Sequence, residues 1–197
     1  MTPPRIAAVV LAAGLSSRMG GNKLLLPVAG EPIVRRVAEA ALASRATHVI
    51  VVTGHNAPAV SAALLGLDIQ IVENREFARG LSESLKCGLR NLPADCDGTL
   101  ILLGDMPYVS APLLNKLIEA FDPAGQHTIC VPVRRGRRGN PVLWGRSFFP
   151  ELLALHGDKG AKPILEAHNN AVCEVEATDD GVLIDIDTPE DLKKPHE

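Results

Sequence analysis

Short apolar runs rich in Val, Ile and Leu alternate along the chain with longer segments of helical spacing, and Gly or Pro punctuates most of the junctions. That rhythm belongs to βαβ units, because parallel strands need a crossover between them and a helix is the usual one. Ile6 to Ala13 is the clearest run, apolar throughout and without polar alternation. A strand buried on both faces reads that way.

The same reading predicts helices over Pro32 to Ser44 and Ala57 to Leu65, with strands over His48 to Thr53 and Leu67 to Val72. Ser82 to Asn91 is expected as a helix opened by a Ser82 cap, with Glu83 in its first turn and Ser84 facing solvent. Gly98 to Leu103 is a further strand, and Ser110 to Phe121 a helix capped by Ser110. Beyond Gly125 the pattern changes, with short strands at Thr128 to Val133 and Pro141 to Trp144 around a loop holding Arg134, Arg135, Arg137 and Arg138. This predicts a hairpin-like insertion beside the parallel sheet. Helical patterns at Phe148 to Leu155 and Ala161 to His168 follow, then strands at Ala171 to Glu176 and Val182 to Ile186, and a last helix from Thr188. The chain carries no repeat or low-complexity tract, so residues 1–197 are expected to form a single α/β domain.

Composition narrows the function classes. A chain of 197 residues, 46% apolar, can bury a core of roughly 70% of its unfolded surface without disulfide or metal staples. Aromatic residues make up only 3%, leaving little for a stacked-ring nucleic-acid platform, and a net charge of −3 argues against a phosphate-backbone binder. The apolar runs fall far short of the ~20 residues that span a bilayer. Met1 to Arg5 leads directly into the first strand, unlike a signal peptide, so a cytoplasmic location is expected. Cys87, Cys96, Cys130 and Cys173 form no Cys-x-x-Cys pair and no zinc spacing, and they read as buried thiols.

In open α/β sheets ligands bind beyond the carboxyl ends of the strands. The turn after the first strand, Leu11-Ala12-Ala13-Gly14-Leu15-Ser16-Ser17-Arg18-Met19-Gly20-Gly21-Asn22-Lys23, combines small residues with two cations. Small residues let backbone N–H groups approach phosphate oxygens, and Arg18 and Lys23 add fixed positive charge. The stretch matches neither the dinucleotide fingerprint nor the Walker A loop. Asp105 follows an apolar strand within Gly104-Asp105-Met106-Pro107. A carboxylate there suits Mg²⁺, which takes one or two carboxylates together with phosphates and water; a turn-stabilising role before Pro107 is the other reading. Asp185 and Asp187 would share one face of the final strand by alternation. The four arginines of the Arg134 to Arg138 loop form either a solvated hairpin tip or a platform for an anionic acceptor.

The stretch from Leu11 to Lys23 resembles the L-A-A-G-x-S-x-R-M-G…K signature of the nucleotidyltransferases of molybdenum cofactor biosynthesis, especially the cytidylyltransferase branch and its guanylyltransferase relatives. The likeness continues in order through Thr53-Gly54-His55, Gly80 to Leu85, Gly104 to Pro107, Gly157 to Ala161 and Asp185 to Leu192. The resemblance implies a Rossmann-like three-layer α/β nucleotidyltransferase fold with a mostly parallel mixed sheet. It implies Arg18, Lys23 and Asp105 as catalytic residues, and nucleotide contacts from Leu11, Ala12, Ala13, Gly14, Ser16, Ser17, Arg18, Lys23, Gly80, Ser82 and Gly104. It also implies Mg²⁺, replaceable by Mn²⁺, on Asp105 with Asp187 as second ligand and Asp185 as the alternative.

The implied partners are a nucleoside triphosphate, molybdopterin or molybdenum cofactor as acceptor, and a transient molybdenum-enzyme client. Ala12-Ala13-Gly14 favours CTP, where guanylyl relatives tend to carry a second Gly. The chain departs from the family at Asn140, where relatives often have His, at Met106, where they more often have Gln, and at Lys162, which stands where the family has Arg. Use of GTP, another phosphorylated acceptor such as a sugar or alcohol phosphate, and a non-catalytic cofactor chaperone are the competing readings.

Overall fold

The computed structural model describes residues 3–14, 22–158, 160–188 and 191. Its strands are β1 (Ile6–Ala12), β2 (Pro27–Val28), β3 (Glu31–Pro32), β4 (His48–Thr53), β5 (Gln70–Glu73), β6 (Gly98–Leu103), β7 (Ile129–Arg134), β8 (Arg137–Arg138), β9 (Val142–Gly145) and β10 (Val172–Glu176). Its helices are α1 (Ile33–Leu42), α2 (Ala57–Ala63), α3 (Leu81–Arg90), α4 (Ala111–Ala120), α5 (Phe149–Leu153) and α6 (Lys162–Ala167). The main sheet runs β10-β7-β9-β6-β1-β4-β5, with β8 attached to β7, while β2 and β3 form a separate small ribbon.

β1 lies between β4 and β6, parallel to both, and every one of its residues is buried. Alternate β1 side chains enter opposite layers. Ile6, Ala8, Val10 and Ala12 pack with Val34 and Val37 of α1, Val60 of α2 and Leu114 of α4. Val9 and Leu11 face the other way, with Leu85 and Leu89 of α3, Leu152 of α5 and Ile164 of α6. The result is the expected three-layer α/β fold with a mostly parallel mixed sheet. Gly88 allows α3 to lie close on β1, since a Cβ at that position would collide with Val9 Cγ1.

Several elements differ from expectation. β9 is not a hairpin beside the sheet: it runs antiparallel between β6 and β7, in the body of the sheet. The predicted strand at Leu67 to Val72 moves to Gln70–Glu73, because Leu67 and Ile69 are spent on packing against the core before pairing with β4 begins. Val182 to Ile186 is not a sheet strand. Asp180–Leu183 forms a 3₁₀ turn capped by the Asp179 side chain on Gly181 N–H, and the Val182 carbonyl accepts from Asn140 N–H at 2.9 Å. The helix expected from Thr188 lies largely outside the described residues. No helix among the described residues is long and apolar enough to cross a membrane.

The start of α3 also corrects the sequence reading. Gly80 (φ +111°) occupies the N-cap, and Ser82 lies inside the helix, 1% exposed, with its Oγ unpartnered. The first-turn donors are satisfied instead by the loop of residues 157–158: Leu81 N–H donates to Asp158 Oδ1 at 3.0 Å and Ser82 N–H to the Gly157 carbonyl at 3.1 Å. Ser84 is buried rather than solvent-facing, and its Oγ accepts from Asn74 Nδ2. Ser110 sits at the N-cap of α4 but makes no side-chain cap bond.

The cysteines are free thiols; Cys96 and Cys130 are buried as expected, whereas Cys87 and Cys173 are only half-buried. Cys130 is fully buried beside Cys173 on the neighbouring parallel strand, and burial, reinforced by Cys173, pushes its thiol up to about 12. Cys130 should therefore resist iodoacetamide at pH 8 in the native protein and react once the chain is unfolded, as read by peptide mass spectrometry; labelling of the native protein would contradict its placement. Asp158→Ala should cost about 1 kcal/mol in urea unfolding through loss of the Leu81 cap, whereas Ser82→Ala should change stability by less than about 0.5 kcal/mol. The opposite order would restore Ser82 as the cap.

Candidate active site

The chain passes from β1 through α1 to β4 and on to β5, then crosses back to place β6 on the other side of β1. Strand order therefore reverses between β1 and β6, where a crevice opens beyond the strand ends. Gly104 N–H donates to the Leu11 carbonyl at 2.9 Å, and a Cβ on Gly104 would lie 2.8 Å from that oxygen. This close approach fixes the first loop and Asp105 beside each other.

Leu11, Ala12 and Ala13 are buried at the end of β1, and the Ala13 carbonyl accepts from His55 N–H. Gly14 is exposed, with open space where a Cβ would stand. The predicted contacts Ser16, Ser17 and Arg18 lie outside the described residues. The chain re-enters at Asn22, whose Oδ1 accepts from Leu24 N–H and caps the 3₁₀ turn Lys23–Leu25. Leu24 is anchored in the core, which aims its neighbour Lys23 from a firm base.

Lys23 Nζ bridges two carboxylates, 2.7 Å from Asp105 Oδ2 and 2.6 Å from Asp187 Oδ1. Burial works against the charged ammonium, yet the pull of Asp105 and Asp187 outweighs it and the lysine's pKa is raised. Lys23 is therefore charged throughout the physiological range. The C-terminal carboxylates arrive by backbone pairing: Ile186 N–H donates to the Asp105 carbonyl at 3.0 Å, and Ile186 is buried between Asp185 and Asp187. Asp191 fixes the next turn, its Oδ2 accepting from Asp187 N–H, Thr188 N–H and Thr188 Oγ1–H. Asp185 and Asp187 thus converge as predicted, although on an extended segment outside the sheet.

One carboxylate oxygen from each of Asp105, Asp185 and Asp187 lies within 4.8 Å of the others. Asp105 Oδ1 is buried and has no hydrogen-bond partner. A hard divalent cation takes oxygen ligands of this kind, so the residues present fit Mg²⁺ or Mn²⁺. Gly80 and Ser82 belong to the α3 start, away from any bond with this carboxylate cluster among the contacts described.

A cavity of about 420 Å³ is lined in part by Leu11 and Leu103, at the ends of β1 and β6. Its apolar lining includes Leu81, Leu85, Val142 and Trp144, and its charged lining consists of Arg138, Lys162 and Glu166. Volumes of this order hold small organic ligands. The sequence reading passed over Trp144 and the leucines of α3, because apolar residues in a strand and on a helix face carry no mark that separates cavity wall from core. Of the two readings of the arginine loop, solvated tip or anion platform, the ion pairs leave little free charge for the second. Arg134 and Arg135 pair with Asp180, while Arg138 pairs with Glu174 and Asn169, so their charge is largely spent within the fold.

Comparison with known proteins identifies the chain's family. The MobA-like NTP transferase domain family matches residues 8–172. Purine catabolism protein PucB of Bacillus subtilis (strain 168) is 35% identical, the match covering 97% of this chain and 96% of that one. Nicotine blue oxidoreductase of Paenarthrobacter nicotinovorans is 30% identical over 96% of this chain and 95% of its own length. The crystal structure of Rv0371c from Mycobacterium tuberculosis H37Rv superposes with a TM-score of 0.81 at 32% identity, covering 98% and 97% of the two chains. A structure of the same protein in complex with manganese aligns with a TM-score of 0.73 at 30% identity, over 89% of each chain. With the family matched across most of its length, on the fold and with the strand-end carboxylates described above, the chain belongs to the MobA-like NTP transferase family.

Proposed function

We propose that the protein transfers a nucleoside monophosphate, CMP from CTP, to the phosphate of molybdopterin or molybdenum cofactor and releases pyrophosphate. The observation that carries this reading is the meeting of Lys23, Asp105 and Asp187 at the β1–β6 crevice, immediately beyond a glycine- and serine-rich loop. A triphosphate needs such a loop for its oxygens and such a cluster for its charge.

An oxygen of the acceptor phosphate attacks the α-phosphorus, a new phosphoanhydride bond forms, and the bond from the α-phosphorus to the bridging oxygen breaks as pyrophosphate departs. The acceptor phosphate is already ionised near neutral pH, so the protein has no proton to remove. Its contribution is positioning and charge stabilisation. Lys23 and Arg18 would neutralise phosphate oxygens, while backbone N–H groups of Ala13 to Ser17 would orient them. Asp105 and Asp187 would hold Mg²⁺ or Mn²⁺, which supplies Lewis-acid polarisation of the phosphates and assists the leaving group. The manganese complex of Rv0371c supports a divalent cation in this family.

The cavity bears on the acceptor. Its Leu, Ile, Val and Trp lining suits a flat, partly apolar body such as a pterin better than a bare sugar phosphate, which needs polar partners for its hydroxyls. Lys162, in the cavity wall, would offer its charge to an acidic acceptor group. Asn140, in the place where relatives often carry His, can still hydrogen-bond but cannot titrate.

Pyrophosphate release should occur with CTP when the cofactor is supplied. Release only with GTP would reassign the base, release with a sugar phosphate would reassign the acceptor, and tight cofactor binding without release would favour a chaperone. Under the productive conditions, Asp105→Ala and Lys23→Ala should each slow release by roughly 10² to 10³. Near-normal turnover in either variant would remove that residue from the mechanism.

A further inference from the structure

The bridging position of Lys23 carries a consequence for the order in which ligands enter. Its ammonium grips one oxygen of Asp105 and one of Asp187 at 2.7 and 2.6 Å, and these are the carboxylates that would hold a divalent cation. An oxygen engaged by an ammonium at this range is a weaker metal ligand until the lysine withdraws, because two cations this close repel each other.

We infer that Lys23 is a placeholder cation: it neutralises the metal-binding carboxylates in the nucleotide-free protein and yields them only when a triphosphate offers its ammonium another partner. Without Lys23, one positive charge fewer would face three carboxylates with oxygens within 4.8 Å of one another, and a free divalent ion would be held more tightly. With Lys23 in place part of that charge is already answered, so a metal arriving alone must bind against a half-buried ammonium that has nowhere favourable to go. A triphosphate removes this obstacle, since it supplies anionic oxygens both to the ammonium and to the metal. Metal and nucleotide then bind as a coupled pair, each raising the affinity of the other by the same factor.

The local build allows this exchange with little backbone motion. The Asn22–Leu24 bond and buried Leu24 hold the main chain, while the lysine's four-carbon stem and rotatable donors can swing between partners. Asp105 Oδ1, buried and unpartnered, remains as a ligand position that the lysine does not use. The nucleotide arm of this inference rests on the nucleotidyl-transfer reading, whereas the metal arm does not.

Mn²⁺ serves as the probe. Water-proton relaxation and electron paramagnetic resonance measure its binding to nucleotide-free wild type, Lys23→Met and Lys23→Arg, after circular dichroism has confirmed that each is folded. Lys23→Met should bind Mn²⁺ at least about tenfold more tightly than wild type, and Lys23→Arg, which keeps the charge, should stay as weak as wild type. Equal or weaker binding in Lys23→Met overturns the placeholder role.

A second measurement needs only the wild type. The ¹⁵N signal of the Lys23 ammonium should hold its position when Mg²⁺ is added alone and shift when Mg²⁺ is added with the α,β-methylene analogue of CTP. A shift with Mg²⁺ alone overturns the inference. Failure of the analogue to bind, with the manganese differences intact, would count against the nucleotide reading and leave the metal arm standing.

Discussion

Carboxylates gathered within 4.8 Å of one another call for positive charge, and among the described residues the ammonium of Lys23 supplies it between Asp105 and Asp187. Satisfying that requirement draws together three distant stretches of sequence. Lys23 follows the first loop, Asp105 ends β6, and Asp187 lies on the C-terminal segment. Each reaches the cluster through a separate backbone device: the Asn22 cap, the Gly104–Leu11 bond and the Ile186–Asp105 bond. The sheet's switch point brings β1 and β6 together, and the ion cluster ties the remaining chain across that point. Removing the lysine would withdraw a positive charge from two partly exposed carboxylates, at a cost larger than the pairs contribute when whole.

On the proposed reading, the cluster and the cavity would divide the work of a group transfer between them. Charge is concentrated on the side of Lys23 and Asp105, where a triphosphate would be neutralised. Apolar surface is concentrated on the side of Leu81, Leu85 and Trp144, where the body of an acceptor would be received. Leu11 and Leu103, at the ends of β1 and β6, line the cavity, while Lys23 and Asp105 follow those strands in sequence. A net charge of −3 conceals this separation, because most arginines outside it are paired within the fold.

Much of this was legible in the sequence where one physical demand dominated. β4 and β6 have the expected bounds, and β1 ends one residue earlier, because a strand buried on both faces must be a continuous apolar run. Legibility failed where neighbours in space, not in sequence, decided the outcome. Ser82 has the chemistry of a cap, but a loop some 75 residues away supplies the cap through Asp158. Val182 to Ile186 has the composition of a strand, yet its backbone partners are Asn140 and Asp105 rather than a sheet edge. The convergence of Asp185 and Asp187 was expected for the wrong structural reason and holds because buried Ile186 lies between them in an extended segment. The bridging role of Lys23 had no sequence signal, since a cation near phosphates and a cation between carboxylates are written with the same residue.

The most direct test of the account is a crystal structure with Mn²⁺ and the α,β-methylene analogue of CTP, with manganese located by its anomalous scattering. The account predicts a manganese peak at coordination distance from Asp105 and Asp187, and Lys23 Nζ turned from the carboxylates to a phosphate oxygen. Manganese bound elsewhere, or Lys23 still bridging Asp105 and Asp187 beneath a bound nucleotide, would contradict it.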